Sequence, residues 1–152
     1  MEISAIWSKP VRLTIGSKKN LIFYFPIEAI AEKSGCYVFY NKHGKSYSIL
    51  YIGQTDNLKK RLEQQQNNVK LMMGIKNRNG KKHLVYCEVI PKQGQNLKKI
   101  LNKVERNLIE IALTNGHDLL NIQGTKNPYD HINFTGNRDS EKMFGRKTNI
   151  PK

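Results

Sequence analysis

Two runs of aromatic and β-branched residues, CYVFY at 36–40 and YSILYIG at 47–53, flank the polar stretch Asn41-Lys42-His43-Gly44-Lys45, and Gly35 opens the first of them. Such residues suit a pleated, half-buried surface, and the stretch between them turns the chain back, so paired antiparallel strands are the element around which everything else must be arranged. The apolar period then changes. Leu58, Leu62, Val69, Met72 and Met73 follow helical spacing, with Thr55-Asp56 as N-cap types before them and Gly74 as a stop. HLVYCEVI at 83–90, ended by Pro91, reads as a third strand. From Leu97 to about Leu113 a long helix gathers Ile100, Leu101, Val104, Leu108, Ile111 and Ala112 on one side and ends near Asn115-Gly116.

The flanks are less regular. VRLTI (11–15) and NLIFYF (20–25) around Gly16-Ser17-Lys18-Lys19 predict a hairpin, followed by a short turn or helix from Ile27 to Lys33, so residues 1–34 read as an N-terminal extension. Residues 35–123 hold the core elements, and Leu119-Leu120-Asn121-Ile122 re-enters it. Beyond Gly124 the chain is polar, Gly/Asn-rich and basic without periodicity, which predicts an irregular tail over 124–152. At 152 residues the three segments form one compact domain.

Charge narrows the partner. Twenty-six Lys plus Arg against 12 Asp plus Glu leave a net charge of +14, which suits a polyanion and, first among polyanions, nucleic acid. Lys76, Arg78, Lys81 and Lys82 concentrate in the loop before the third strand and are candidate phosphate contacts. No apolar run approaches a membrane span, so no membrane partner is expected. The N-terminus lacks the pattern of a secretory signal, and Cys36 and Cys87 each sit in an apolar stretch, so they read as buried thiols of a cytoplasmic protein. Neither cysteine belongs to a C-x-x-C pair, and no histidine lies at zinc-ligand spacing from them.

Two polar residues conflict with the helical pattern. Arg61 falls at the edge of the Leu58/Leu62/Met72 stripe, where it either snorkels over the core to water or holds a phosphate with its planar fork of donors. Glu105 lies inside the apolar edge of the second long helix. A carboxylate there is costly unless met, so it implies a metal or a salt bridge, with Lys98 or Arg61 as the cation.

Gly35-Cys36-Tyr37, Tyr51-Ile52-Gly53, Arg61 ten residues beyond Tyr51, and Glu105-Arg106-Asn107-Leu108-Ile109 resemble, in order and spacing, the motifs of the GIY-YIG nuclease family. The resemblance covers roughly residues 35–121. It implies an α+β fold, a small three-stranded antiparallel sheet flanked by helices, whose two tyrosines, arginine and glutamate converge on one face. The implied activity is metal-dependent hydrolysis of phosphodiesters in DNA, double-stranded in the first instance, with one divalent cation, Mg²⁺ or Mn²⁺ in its stead. In that reading Glu105 is the metal ligand, Arg61 stabilises the phosphate, Tyr37 is the general base and Tyr51 orients the phosphate or the water; the two phenols could exchange roles. Gly53 would let backbone and helix N-terminus approach a phosphate, although a strand-end turn explains the same glycine.

The chain departs from the family pattern in three places. Gln65 stands four residues beyond Arg61, where many members carry Tyr or His, and it can only hydrogen-bond. Asn121 resembles the asparagine that follows the glutamate helix, at a longer interval, and the connection from Tyr37 to Tyr51 is somewhat long. His83, at the base of the basic loop, is either a further phosphate contact or a structural residue. The alternative to a nuclease is a noncatalytic nucleic-acid-binding protein or subunit on the same fold. Monomer and dimer are equally compatible with the sequence.

Overall fold

The computed structural model describes residues 2–16, 20–121, 129–133 and 135–151. Strands β5 (Gly35–His43) and β6 (Ser46–Thr55) form the expected hairpin, and β7 (Lys81–Ile90) pairs antiparallel with β5 on its other side. Gly35 lies in register with Glu88, and a β-carbon on it would collide with the Cys87 carbonyl oxygen. A side chain there would hold the two strands apart.

The sheet is larger than three strands. β1 (Ser4–Trp7) and β2 (Val11–Arg12) both pair with the outer edge of β7, giving a five-stranded sheet in the order β1/β2, β7, β5, β6. Between them the run Ser8-Lys9-Pro10 interrupts the ladder, and Ser8 bridges the gap: its N–H donates to the Tyr86 carbonyl at 2.7 Å and its hydroxyl accepts from the Tyr86 N–H at 3.1 Å. A proline cannot donate to a ladder but is tolerated on such an edge. The expected N-terminal hairpin survives only as β3 (Thr14–Ile15) against β4 (Phe23–Tyr24), and its turn at 17–19 lies outside the described residues. A 3₁₀ turn at Ile27–Ala29 leads into β5.

The expected single helix from Leu58 is two, α1 (Leu58–Gln66) and α2 (Val69–Lys76). Asn67 ends the first and Asn68 caps the second, its Oδ1 accepting from the Leu71 N–H at 3.1 Å. Gly74 lies within α2 and does not stop it. The cap of α1 is Asn57, and Thr55 Oγ1 accepts from the Asn57 N–H just ahead of it. After β7, α3 (Leu97–Thr114) crosses the opposite face of the sheet. Ile111, assigned to its apolar side, is 48% exposed; Ile109 and Leu113 pack inward instead.

The core thus has two sides. On one, Tyr37, Phe39, Leu50 and Leu84 pack with Leu58, Leu62, Met72 and Ile75 of α1 and α2 and with Leu13, Phe23 and Phe25 of the N-terminal segment. On the other, Cys36, Val38, Ile52 and Cys87 pack with Ile100, Leu101, Ala112 and Leu113 of α3. Both cysteines are buried free thiols, opposite one another on β5 and β7. The tail is not irregular: β8 (Tyr129–Asn133) pairs with β9 (Lys147–Pro151), and α4 (Arg138–Phe144) connects them. Leu119 and Leu120 re-enter the core as expected, whereas Ile122 and the start of the tail to residue 128 lie outside the described residues. Among the described residues no helix is long and apolar enough to cross a membrane.

Candidate active site

Strand alternation brings Tyr37 and Phe39 to the face that α1 covers. A register shift in β6 between the partners of Phe39 and Tyr40 leaves Leu50 and Tyr51 packed on that same face. The Tyr37 and Tyr51 rings stack 6.2 Å apart between centroids, 19° from parallel. Directly across from Tyr37 stands Gly53, and a β-carbon on it would lie against Cζ and the hydroxyl oxygen of Tyr37. Gly53 therefore makes room for a phenol, which is a different reason from the phosphate approach expected of it. Gly53→Ala is expected to push the ring off its seat at a cost of about 1–3 kcal/mol. Thermal melts and the Tyr37 phenol titration check this; an alanine variant matching wild type in both contradicts it.

One turn into α1, Arg61 lies half-buried beside the stripe of Leu58 and Leu62. Its guanidinium lies beside the hydroxyls of Tyr37 and Tyr51, which favour its charged form, and Nη1 donates to Gln64 Oε1 at 3.2 Å. The Arg61 head group thus sits next to both phenols at the partly exposed side of α1. A turn later Gln65, 1% exposed, donates from Nε2 to the Tyr37 oxygen at 2.8 Å. Tyr37 itself is 1% exposed. Burial pushes its phenol above the ordinary value, while the Gln65 and Arg61 hydrogen bonds pull it back.

Glu105 reaches the sheet from α3 on the other face, half-buried beside Gln54, the residue after Gly53. Burial raises its carboxyl above the usual range, and a hydrogen bond from Gln54 opposes that. The Gln54 amide also meets Asn102 one turn earlier on α3. Neither Lys98 nor Arg61 pairs with Glu105, and it belongs to no ion pair among the described residues. Tyr37, Tyr51, Arg61, Gly53 and Gln65 are thus brought together, with Glu105 arriving separately at the β6 edge strand.

The free edge of β6 is covered by the segment after α3. The Ile49 N–H donates to His117 Nδ1 at 3.2 Å, the Leu120 N–H to the Leu50 carbonyl at 2.7 Å, and Asn121 Nδ2 to the Ile52 carbonyl at 3.0 Å. Burial holds His117 below its ordinary pKa, consistent with a neutral ring that accepts. Asn121 is therefore tied to the backbone of the Tyr51-Ile52-Gly53 stretch of β6.

The basic loop divides. Lys76 and Lys81 are exposed, whereas Arg78 pairs with Asp118 at 3.3 Å. Lys82 is 8% exposed, its ammonium donates to the Arg78 carbonyl, and burial lowers its pKa. It anchors the loop from inside and is not presented to a phosphate. His83 stacks on Tyr40 at 5.3 Å, on the α3 side of the sheet away from Tyr37, and is structural. Gln54 and Asn68 contact candidate site residues and were not singled out in the sequence; the Asn67-Asn68 pair was a legible cap signal, whereas Gln54 has no local signature.

Residues 33–114 match the family model of the GIY-YIG catalytic domain. No curated protein and no solved structure matches the chain. With more than half of its length under that match, and a hairpin, an arginine helix and a glutamate helix in the family's order, the chain belongs to the GIY-YIG family and has its nuclease-type fold.

Proposed function

We propose that the protein is a metal-dependent endonuclease that hydrolyses phosphodiesters in double-stranded DNA. The observation that carries the reading is the cluster of stacked Tyr37 and Tyr51 with Arg61 beside them: a guanidinium next to two phenols suits a phosphate oxygen at the spot where both hydroxyls can act. Glu105 supports it as the metal ligand. Its carboxyl is half-buried and paired with no cation among the described residues, so no protein charge already neutralises it where a hard divalent ion would bind. Among the described residues no cluster of three His, Cys, Asp or Glu exists, so a single-carboxylate site is the one that fits Mg²⁺ or Mn²⁺ here. Bound there, the cation supplies charge neutralisation to a phosphate oxygen.

The chain's own groups do the rest. A phosphate that draws Arg61 away from the phenols uncovers the Tyr37 oxygen while Gln65 continues to hold it. The Tyr37 phenolate then takes a proton from the attacking water, and Tyr51 orients that water or the phosphate. Because burial raises the Tyr37 phenol, the reactive form grows as pH rises from neutral towards alkaline, and cleavage is expected to accelerate in the same direction. Lys76 and Lys81 contact the flanking backbone.

Supercoiled plasmid with Mg²⁺ tests this directly: nicked or linear product is expected, with none when EDTA is present. Protein that binds a range of DNA substrates with every divalent ion yet never cuts would be a noncatalytic binding protein on the same fold.

A further inference from the structure

We propose that Asn68, the cap of α2, is a positioning residue for Tyr37: through Gln65 it fixes the Tyr37 oxygen as a hydrogen-bond acceptor and turns the phenolic proton away from Gln65. The inference rests on the reading of Tyr37 as the base and adds what sets its polarity.

A backbone N–H can only donate. The Leu71 N–H lies 3.1 Å from one side-chain atom of Asn68, which must therefore be Oδ1. The other end of that amide is then NH₂, and it lies 3.0 Å from Gln65, so the Gln65 atom it meets must be Oε1. That assignment leaves Gln65 Nε2 at the far end, 2.8 Å from the Tyr37 oxygen, where it donates. The polarity of three successive side chains thus follows from a single peptide group at the start of α2. No proton position needs to be observed for the chain to be unambiguous.

The groups facing Tyr37 close the remaining directions. Arg61 on α1 lies beside the same oxygen, Tyr51 on β6 stacks on the ring, and Tyr86 lies opposite on β7; no carboxylate is among the groups acting on the phenol. With Gln65 Nε2 facing its oxygen, Tyr37 cannot give its own hydrogen to Gln65. Donors to that oxygen favour the phenolate over the phenol, and reversing one of them favours the phenol. A glutamine exchanges no proton, so its contribution is this direction and nothing else. The break between α1 and α2 also acquires a purpose, since an unbroken helix would place no side-chain oxygen under the Leu71 N–H.

Asn68→Asp tests the direction itself. One carboxylate oxygen keeps the cap on Leu71 and the other can only accept, so Gln65 must turn Nε2 to it and present Oε1 to Tyr37. Asn68→Ser keeps a cap, carries no charge and removes the donor. The readout is the titration of Tyr37 in the full chain labelled at tyrosine ¹³Cζ, with Tyr37→Phe identifying the signal. The aspartate is expected to weaken Tyr37 ionisation about tenfold or more, and the serine by less. In plasmid cleavage the acid limb of the pH profile moves to higher pH in the same order, with the DNA affinity of the serine variant, measured without metal, unchanged. Folded variants whose Tyr37 titrates as in wild type overturn the proposal, and the serine decides if the aspartate does not fold. A wild-type protein that never cuts DNA overturns the catalytic reading alone, because the Tyr37 titration still reports on Asn68.

Discussion

Glu105→Gln is expected to lower plasmid cleavage by about a thousandfold or more while DNA binding without metal is retained. The substitution preserves shape and leaves the Gln54 and Asn102 neighbourhood in place, so the loss isolates the charge. Stability should move the other way. The folded carboxyl is raised by burial, so folding favours its protonated form; that contribution is present below the ordinary carboxylate range and lost as pH rises through the folded value. At neutral pH the glutamine variant should therefore melt above wild type, and the gap should close as pH falls below that range. Added Mg²⁺ should raise the melting temperature of wild type and leave the variant unmoved. A variant that cuts at the wild-type rate, or gains as much from Mg²⁺, would remove Glu105 from the metal site.

Arg61→Ala is expected to cost about a thousandfold in turnover, within the range of a guanidinium that neutralises a developing phosphoryl charge. Affinity should fall far less. Losing one phosphate contact changes the slope of log affinity against log salt by about 0.9. The variant also loses a donor to the Tyr37 oxygen, so the acid limb of its residual activity should lie at higher pH than in wild type. Arg61→Lys, which keeps the charge but not the fork, should recover part of the binding and little of the rate. Equal losses in rate and affinity would reduce Arg61 to an ordinary backbone contact.

What was legible in the sequence is what local periodicity encodes. Aromatic and β-branched runs around a polar turn placed Tyr37 and Tyr51 in a hairpin, and helical spacing put Arg61 at the edge of a buried stripe and Glu105 where a carboxylate is costly. Pairing between distant segments has no such signature. β1 and β2 join β7 some eighty residues away through two- and four-residue strands split by Pro10, so nothing near them announces the partner. β8, α4 and β9 come from a polar stretch without an apolar period, and their pairing shows only once the strands are opposed. Lys82 illustrates the cost of a misplaced boundary. With β7 beginning at Lys81, it shares parity with Leu84 and Tyr86 and turns inward, whereas a strand begun at His83 leaves it in a loop. Gly53 was legible as important but not for its reason, since the atom that requires it belongs to another strand.

Each of the three core helices begins at an asparagine, Asn57, Asn68 and Asn96, and none has an acidic residue in its first turn. Aspartate would satisfy the same orphan N–H groups, with the further benefit of a negative charge at the positive end of the helix dipole. Choosing the neutral amide forgoes that benefit and leaves the partial positive ends uncancelled. On a molecule that must approach a phosphate polymer, three fixed anions are thereby kept off its surface, and the helix starts themselves add to the attraction.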